Sequence, residues 1–118
     1  MPQQIMQGVF PILVTPFDEQ ARVDDESLAR LVEFNLAAGV HGLGVALGSE
    51  VFKLSEAERD HVTRVVVGAV RGRAPVVVNT GAPGTDLAVF YSQAAEANGA
   101  DALMIIPPAF MPAGPDEV

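Results

Sequence analysis

The sequence predicts a parallel α/β fold. Three observations carry that prediction. Short apolar runs rich in β-formers alternate with stretches of helical periodicity, at the spacing of roughly 30 residues that one strand–helix–strand unit requires. Each predicted helix closes on a glycine: Gly39, Gly72 and Gly99. Finally, Gly42-Leu-Gly-Val-Ala-Leu-Gly-Ser-Glu50 reads as a buried strand running into a polar turn that bears a lone carboxylate. In parallel α/β folds, chemistry gathers where a strand hands over to such a turn.

Composition narrows the function classes. Of 118 residues, 49% are apolar and 19% charged, the balance of a globular chain with one core rather than a disordered one. The net charge is −8 with only seven basic residues, so no basic cluster exists to neutralise phosphates, and nucleic acid is not an expected partner. Cysteine is absent, which removes disulfides and thiolate metal sites and fits a reducing, cytoplasmic location. No apolar run reaches the ~18 residues that span a bilayer, and no secretory signal pattern opens the chain; no membrane partner is expected.

Taken in order, residues 1–7 are a polar lead-in. Gly8-Val-Phe-Pro-Ile-Leu-Val-Thr15 is the first expected strand, with Pro11 near its start or at a bulge and Pro16 stopping it. Asp24 or Asp25 caps the first helix, whose apolar face is Leu28, Leu31, Val32 and Leu36. In the second strand Leu43, Val45 and Leu47 alternate with Gly44 and Ala46, and the small residues suit a crowded interior. Ser55 and Glu58 have capping-box spacing at the start of the second helix. Its buried stripe is Val62, Val65, Val66, Ala69 and Val70, and Gly72 ends it. Residues 75–80 form a third strand and Gly81–Gly84 its turn. Thr85 or Asp86 caps a third helix burying Leu87, Tyr91, Ala94 and Ala95. Residues 102–106 are the fourth strand. Pro115-Asp-Glu117 resembles the first turn of a helix, with proline early and acids at the positive end of the dipole.

This periodicity fits both a (β/α)8 barrel and an open doubly wound sheet. A barrel needs about 250 residues. Residues 1–118 are therefore expected to be the N-terminal half of a single TIM-barrel domain, about four strands and three helices, ending before the fourth helix.

Five pieces in order strengthen this reading: Gly8-Val-Phe-Pro-Ile-Leu-Val-Thr-Pro-Phe17, Gly48-Ser-Glu50, Leu54-Ser-Glu-Ala-Glu-Arg59, Pro75-Val-Val-Val-Asn-Thr-Gly81 and residues 102–108. Together they resemble the dihydrodipicolinate synthase / N-acetylneuraminate lyase family over nearly the whole chain. The resemblance implies a (β/α)8 barrel and a lyase that forms or cleaves a carbon–carbon bond, or dehydrates, through a lysine Schiff base with pyruvate or another 2-oxo acid. It also implies a homo-oligomer.

What the resemblance implies about residues is specific. The family's Gly-Thr-Thr-Gly-Glu turn, which binds the substrate carboxylate, falls on Ala46-Leu47-Gly48-Ser49-Glu50. Leu47 and Gly48 replace the threonines, leaving Gly48 and Ser49 as backbone and hydroxyl donors in an anion-binding nest. Glu50 matches and is expected to fix the turn rather than to transfer protons. Thr15 and Thr80 sit at strand ends and are expected to line the site, where Asn79 also lies. The position of the family's proton-relay tyrosine falls on Ala109 or Phe110, neither of which has a proton to give. The family carries its Schiff-base lysine on the sixth strand, beyond the strands present here. The one lysine, Lys53, is expected to be a solvated loop charge. No catalytic residue is thus expected in this chain, and the chain alone is expected to be inactive.

The remaining candidates read as structure. Tyr91 is expected to pack, His41 to serve a loop, and His61 to lie on a helix surface. Two histidines without helical pairing make no metal site. The glycines around Gly44 fail the dinucleotide fingerprint, because they precede or lie within the strand. No cofactor and no metal are expected. The alternative is a non-catalytic half-barrel that self-associates or binds a small carboxylate.

Overall fold

In the computed structural model, residues 5–46, 48–107 and 114–117 are described, Ser49 and Glu117 by their backbone only. Helix α1 (Asp25–Ala37) starts where Asp24, in extended backbone, accepts a hydrogen bond from the Ser27 N–H. That satisfies one of the donors a helix start leaves free, and it selects Asp24 over Asp25 as the cap. Strand β1 (Leu43–Val45) follows, then helix α2 (Glu56–Val70), strand β2 (Val76–Asn79), helix α3 (Thr85–Ala97) and strand β3 (Ala102–Met104). Ser55 and Glu58 form the expected capping box at the start of α2.

The strands lie in the order β1-β2-β3, all parallel. Leu43 and Val45 of β1, with Val76 and Val78 of β2, face the helices. There they meet Leu28 and Val32 of α1 and Val62, Val66 and Val70 of α2, all buried. Each such side chain taken from water contributes about 1.5–3 kcal/mol before chain entropy is counted. Side chains alternate across a strand, so Gly44, Val77 and Ala102 share the opposite face and, by register, one row. Ile12 extends that row through its pairing with Gly44.

The expected first strand forms only in part. Residues 9–13 run extended beside β1 with one isolated parallel bridge, Ile12 to Gly44. Leu13 N–H donates to the Gly44 carbonyl, and Gly44 N–H donates to the Pro11 carbonyl. Pro11 can accept but has no N–H to donate, which limits the ladder. The segment is anchored lower down by a reciprocal pair: Val9 N–H donates to His41 Nδ1, and His41 N–H donates to the Val9 carbonyl, each 2.9 Å. His41 thus serves a loop, as expected. Gly8 and Gly42 leave room for the His41 and Phe10 rings, which a Cβ would strike.

Other expectations shift by a residue or a face. Helix α2 ends at Arg71, in left-handed backbone at φ 52°, one residue before Gly72. Helix α3 is capped by neither Thr85 nor Asp86. Gly84 is its N-cap, without a side-chain hydrogen bond, and Thr85 is already helical. Leu87 is exposed rather than buried, with Val89 and Phe90, because α3 presses only Ala95 fully into the core. His61 lies on the helix surface, where its Nε2 meets Asp25 Oδ1 at 2.7 Å. Pro115–Glu117 forms a single 3-10 turn. Among the described residues no helix is long and apolar enough to cross a membrane.

Candidate functional site

Strand β1 ends on a kink that a strand would not choose. Ala46 has φ 54° and is buried, and Gly48 follows at φ 58°. A left-handed alanine costs on the order of 1 kcal/mol through its Cβ. A glycine at this position would not incur that cost. A short 3-10 turn, Gly48–Lys53, then carries the chain to α2.

Two contacts hold this turn to its neighbours. Glu50 is buried, and its Oε2 accepts from the Thr15 backbone N–H at 2.9 Å, tying the turn to the end of the N-terminal extended segment. Its Oε1 accepts from Lys53 Nζ at 2.8 Å. Burial pushes the Glu50 carboxyl up, but the Lys53 ammonium and the Thr15 N–H outweigh it and hold the group below its ordinary value, ionised. Lys53 is an exposed loop charge, as expected, and is also ion-paired with Glu50.

The second contact comes from β2. Asn79, 6% exposed, donates from Nδ2 to the Ala46 carbonyl at 3.1 Å, while its Oδ1 accepts from the Gly81 N–H at 3.0 Å. Asn79 lies two residues from Val77, on the face away from the helices. Its own carbonyl accepts from Arg59 of α2 at 2.9 Å. The Arg59 guanidinium in turn sits 4.2 Å from the centre of the Tyr91 ring, and Tyr91 donates its hydroxyl proton to Glu56 at 2.9 Å. That hydrogen bond to a carboxylate, with burial, raises the tyrosine above its usual range. Tyr91 packs at the helix–sheet junction, as expected, and lines a cavity of about 60 Å³ with Arg59, Asn79 and Thr80.

The expected site residues divide. Gly48 and the Ser49 backbone lie in the turn itself, and Glu50 braces it. Thr15 contributes its N–H to Glu50, and its side chain is buried. Thr80 is 1% exposed, and its hydroxyl accepts from Ser92 of α3 at 2.9 Å, so it faces the helices, opposite Asn79. Ala109, Phe110 and Leu47 lie outside the described residues. A groove of about 780 Å³ between α3 and β3 is lined by residues such as Val89, Ser92, Leu103 and Ile105 and includes none of the turn. Among the described residues no group of three or more His, Asp or Glu is placed to hold a metal ion. Arg59 and the clamping role of Asn79 escaped the sequence reading. An asparagine closing an all-valine strand was the one available signal for the latter.

Comparison with known proteins agrees with this geometry. The sequence model of the Dihydrodipicolinate synthetase family matches residues 5–118. The chain is 43% identical over 106 residues to a 4-hydroxy-tetrahydrodipicolinate synthase of Pseudomonas aeruginosa, covering 88% of this chain and 36% of that protein. It is 38% identical over 108 residues to an N-acetylneuraminate lyase of Citrobacter koseri, covering 91% of this chain and 36% of the relative. A solved dihydrodipicolinate synthase from Agrobacterium tumefaciens superposes with a TM-score of 0.82 at 36% identity, over 93% of this chain and 37% of that one. The chain thus spans a little over a third of the length of the relatives it matches. Its parallel strands and three helices are part of a (β/α)8 barrel, the first of the two architectures that the periodicity allowed. With the family pattern matched from residue 5 to residue 118 and the barrel geometry matched alongside it, the chain belongs to the dihydrodipicolinate synthetase family.

Proposed function

We propose that this chain supplies the carboxylate-binding wall of a Schiff-base lyase acting on pyruvate or another 2-oxo acid. The observation that carries the reading is the left-handed backbone at Ala46 and at Gly48, braced by Glu50 on one side and Asn79 on the other, at the end of a barrel strand. Barrel active sites are built at that end. Gly48 and Ser49 donate to the carboxylate. Glu50 is spent on the Thr15 N–H and on Lys53, so it holds shape and carries no substrate proton. Strands beyond those present here supply the lysine amine, which condenses with the keto carbon. The resulting imine withdraws electrons from the bond to be broken or formed. The protein acts in the cytoplasm as a homo-oligomer, and residues 1–118 form the first half of one barrel domain.

A second reading, a non-catalytic chain that self-associates or holds a small carboxylate, is favoured by one observation. Ile12, Val14 and Met104 are each more than two-fifths exposed, so apolar surface stands open beside the turn.

The test is the mass of the natively produced protein after pyruvate and borohydride. A reduced adduct on a species longer than this chain supports the lyase. An adduct on a species of this length puts the chemistry on Lys53 or the terminal amine and overturns the assignment of the lysine. No adduct on any species leaves the non-catalytic reading.

A further inference from the structure

We propose that Asn79 is the positioning residue of the carboxylate-binding turn, acting through the left-handed backbone of Ala46; this rests on reading Gly48 and Ser49 as the carboxylate donors. The last ladder pair between β1 and β2 is Val45 with Val78. Beyond it the Ala46 carbonyl has left the register of the strands, in a buried place, where a carbonyl without a donor is costly. Asn79 Nδ2 provides the donor. The amide is itself fixed from two sides: Gly81 N–H holds its Oδ1, and Arg59 holds the backbone carbonyl of the same residue. An aspartate at this position would keep the Gly81 contact and turn an acceptor toward the Ala46 carbonyl. A left-handed alanine with no clamp would relax toward ordinary backbone, and the N–H groups of Gly48 and Ser49 would turn with it.

The experiment follows backbone amide resonances of the ¹⁵N-labelled chain, with pyruvate as the probe, in the wild type and in N79D, N79D/A46G and S92A. In N79D without pyruvate, the resonances of residues 46–50 are expected to move more than those of the rest of the sheet. The pyruvate dissociation constant is expected to rise about fivefold, the value of one hydrogen bond. A46G is expected to restore both, because glycine holds the left-handed conformation unaided. S92A, which removes the α3 contact to Thr80 just beyond β2, is expected to move neither. N79D that leaves the turn resonances unmoved, or moves the whole sheet evenly without rescue by A46G, overturns the proposal. If N79D does not fold, N79S, too short to reach the Ala46 carbonyl, is read by the same criteria. A wild-type chain whose Gly48 and Ser49 amides ignore pyruvate refutes the carboxylate reading alone; the ligand-free spectra still decide the role of Asn79.

Discussion

The Glu50 carboxylate accepts a hydrogen bond from the backbone N–H of Thr15, 35 residues earlier in the chain, at 2.9 Å. This contact joins the N-terminal segment to the turn after β1 at a point where the backbone ladder between them has already ended. A side chain does there what the sheet does elsewhere.

Replacing Glu50 should therefore reveal two separate effects. E50Q keeps an acceptor for Thr15 and loses the ionic partner of Lys53, and is expected to cost about 1 kcal/mol. E50A strands the buried Thr15 N–H and is expected to cost roughly 2–3 kcal/mol. Urea unfolding followed by circular dichroism checks both; equal costs would mean that the Thr15 contact contributes nothing.

The same carboxylate predicts an acid dependence. Its folded value lies below its ordinary 4.5, so its stabilisation is present in full above that pH and is lost as pH falls through the lower folded value. The wild type is expected to lose stability relative to E50Q as the solution is acidified below pH 4.5. A constant difference between the two proteins across that range would contradict the assignment.

Arg71 ends α2 in left-handed backbone, where its Cβ is penalised and its side chain is largely exposed. R71G is expected to stabilise the chain by about 0.5–1 kcal/mol, since the Glu33 partner at 3.8 Å is weak and Arg73 already serves it. A lower melting temperature for R71G would show that the αL penalty is smaller than the loss of the ion pair and the gain in unfolded-chain entropy.

Arg59 links α2, β2 and α3 through the Asn79 carbonyl and the Tyr91 ring. R59M keeps the aliphatic stem and removes the guanidinium, and is expected to cost about 2 kcal/mol. Tyr91 is the only tyrosine and tryptophan is absent, so tyrosine emission reports this junction directly. It should change in R59M before any unfolding.

At the cap of α2, S55A removes half of the capping box and is expected to cost about 1 kcal/mol. A denaturation midpoint shared with the wild type would show that the Glu58 side chain caps α2 alone.

The repeating units are written in local patterns along the chain. Leu28 and Val32, and Val62, Val66 and Val70, recur at helical spacing, and Ser55 with Glu58 marks a helix start, because these are local periodicities and short-range hydrogen bonds. The parallel order of the strands was legible for the same reason: a helix between two strands imposes it. Leu87 is exposed against expectation, because periodicity marks an apolar face without saying whether anything covers it. Long-range packing sets the rest: Thr80 faces α3 while Asn79 faces the turn, Lys53 is ion-paired, and Ala46 is left-handed. The Thr15–Glu50, Ala46–Asn79 and Arg59–Asn79 contacts join residues 20 to 35 positions apart. Their partners become neighbours only when the strands align, so no local pattern along the chain encodes them.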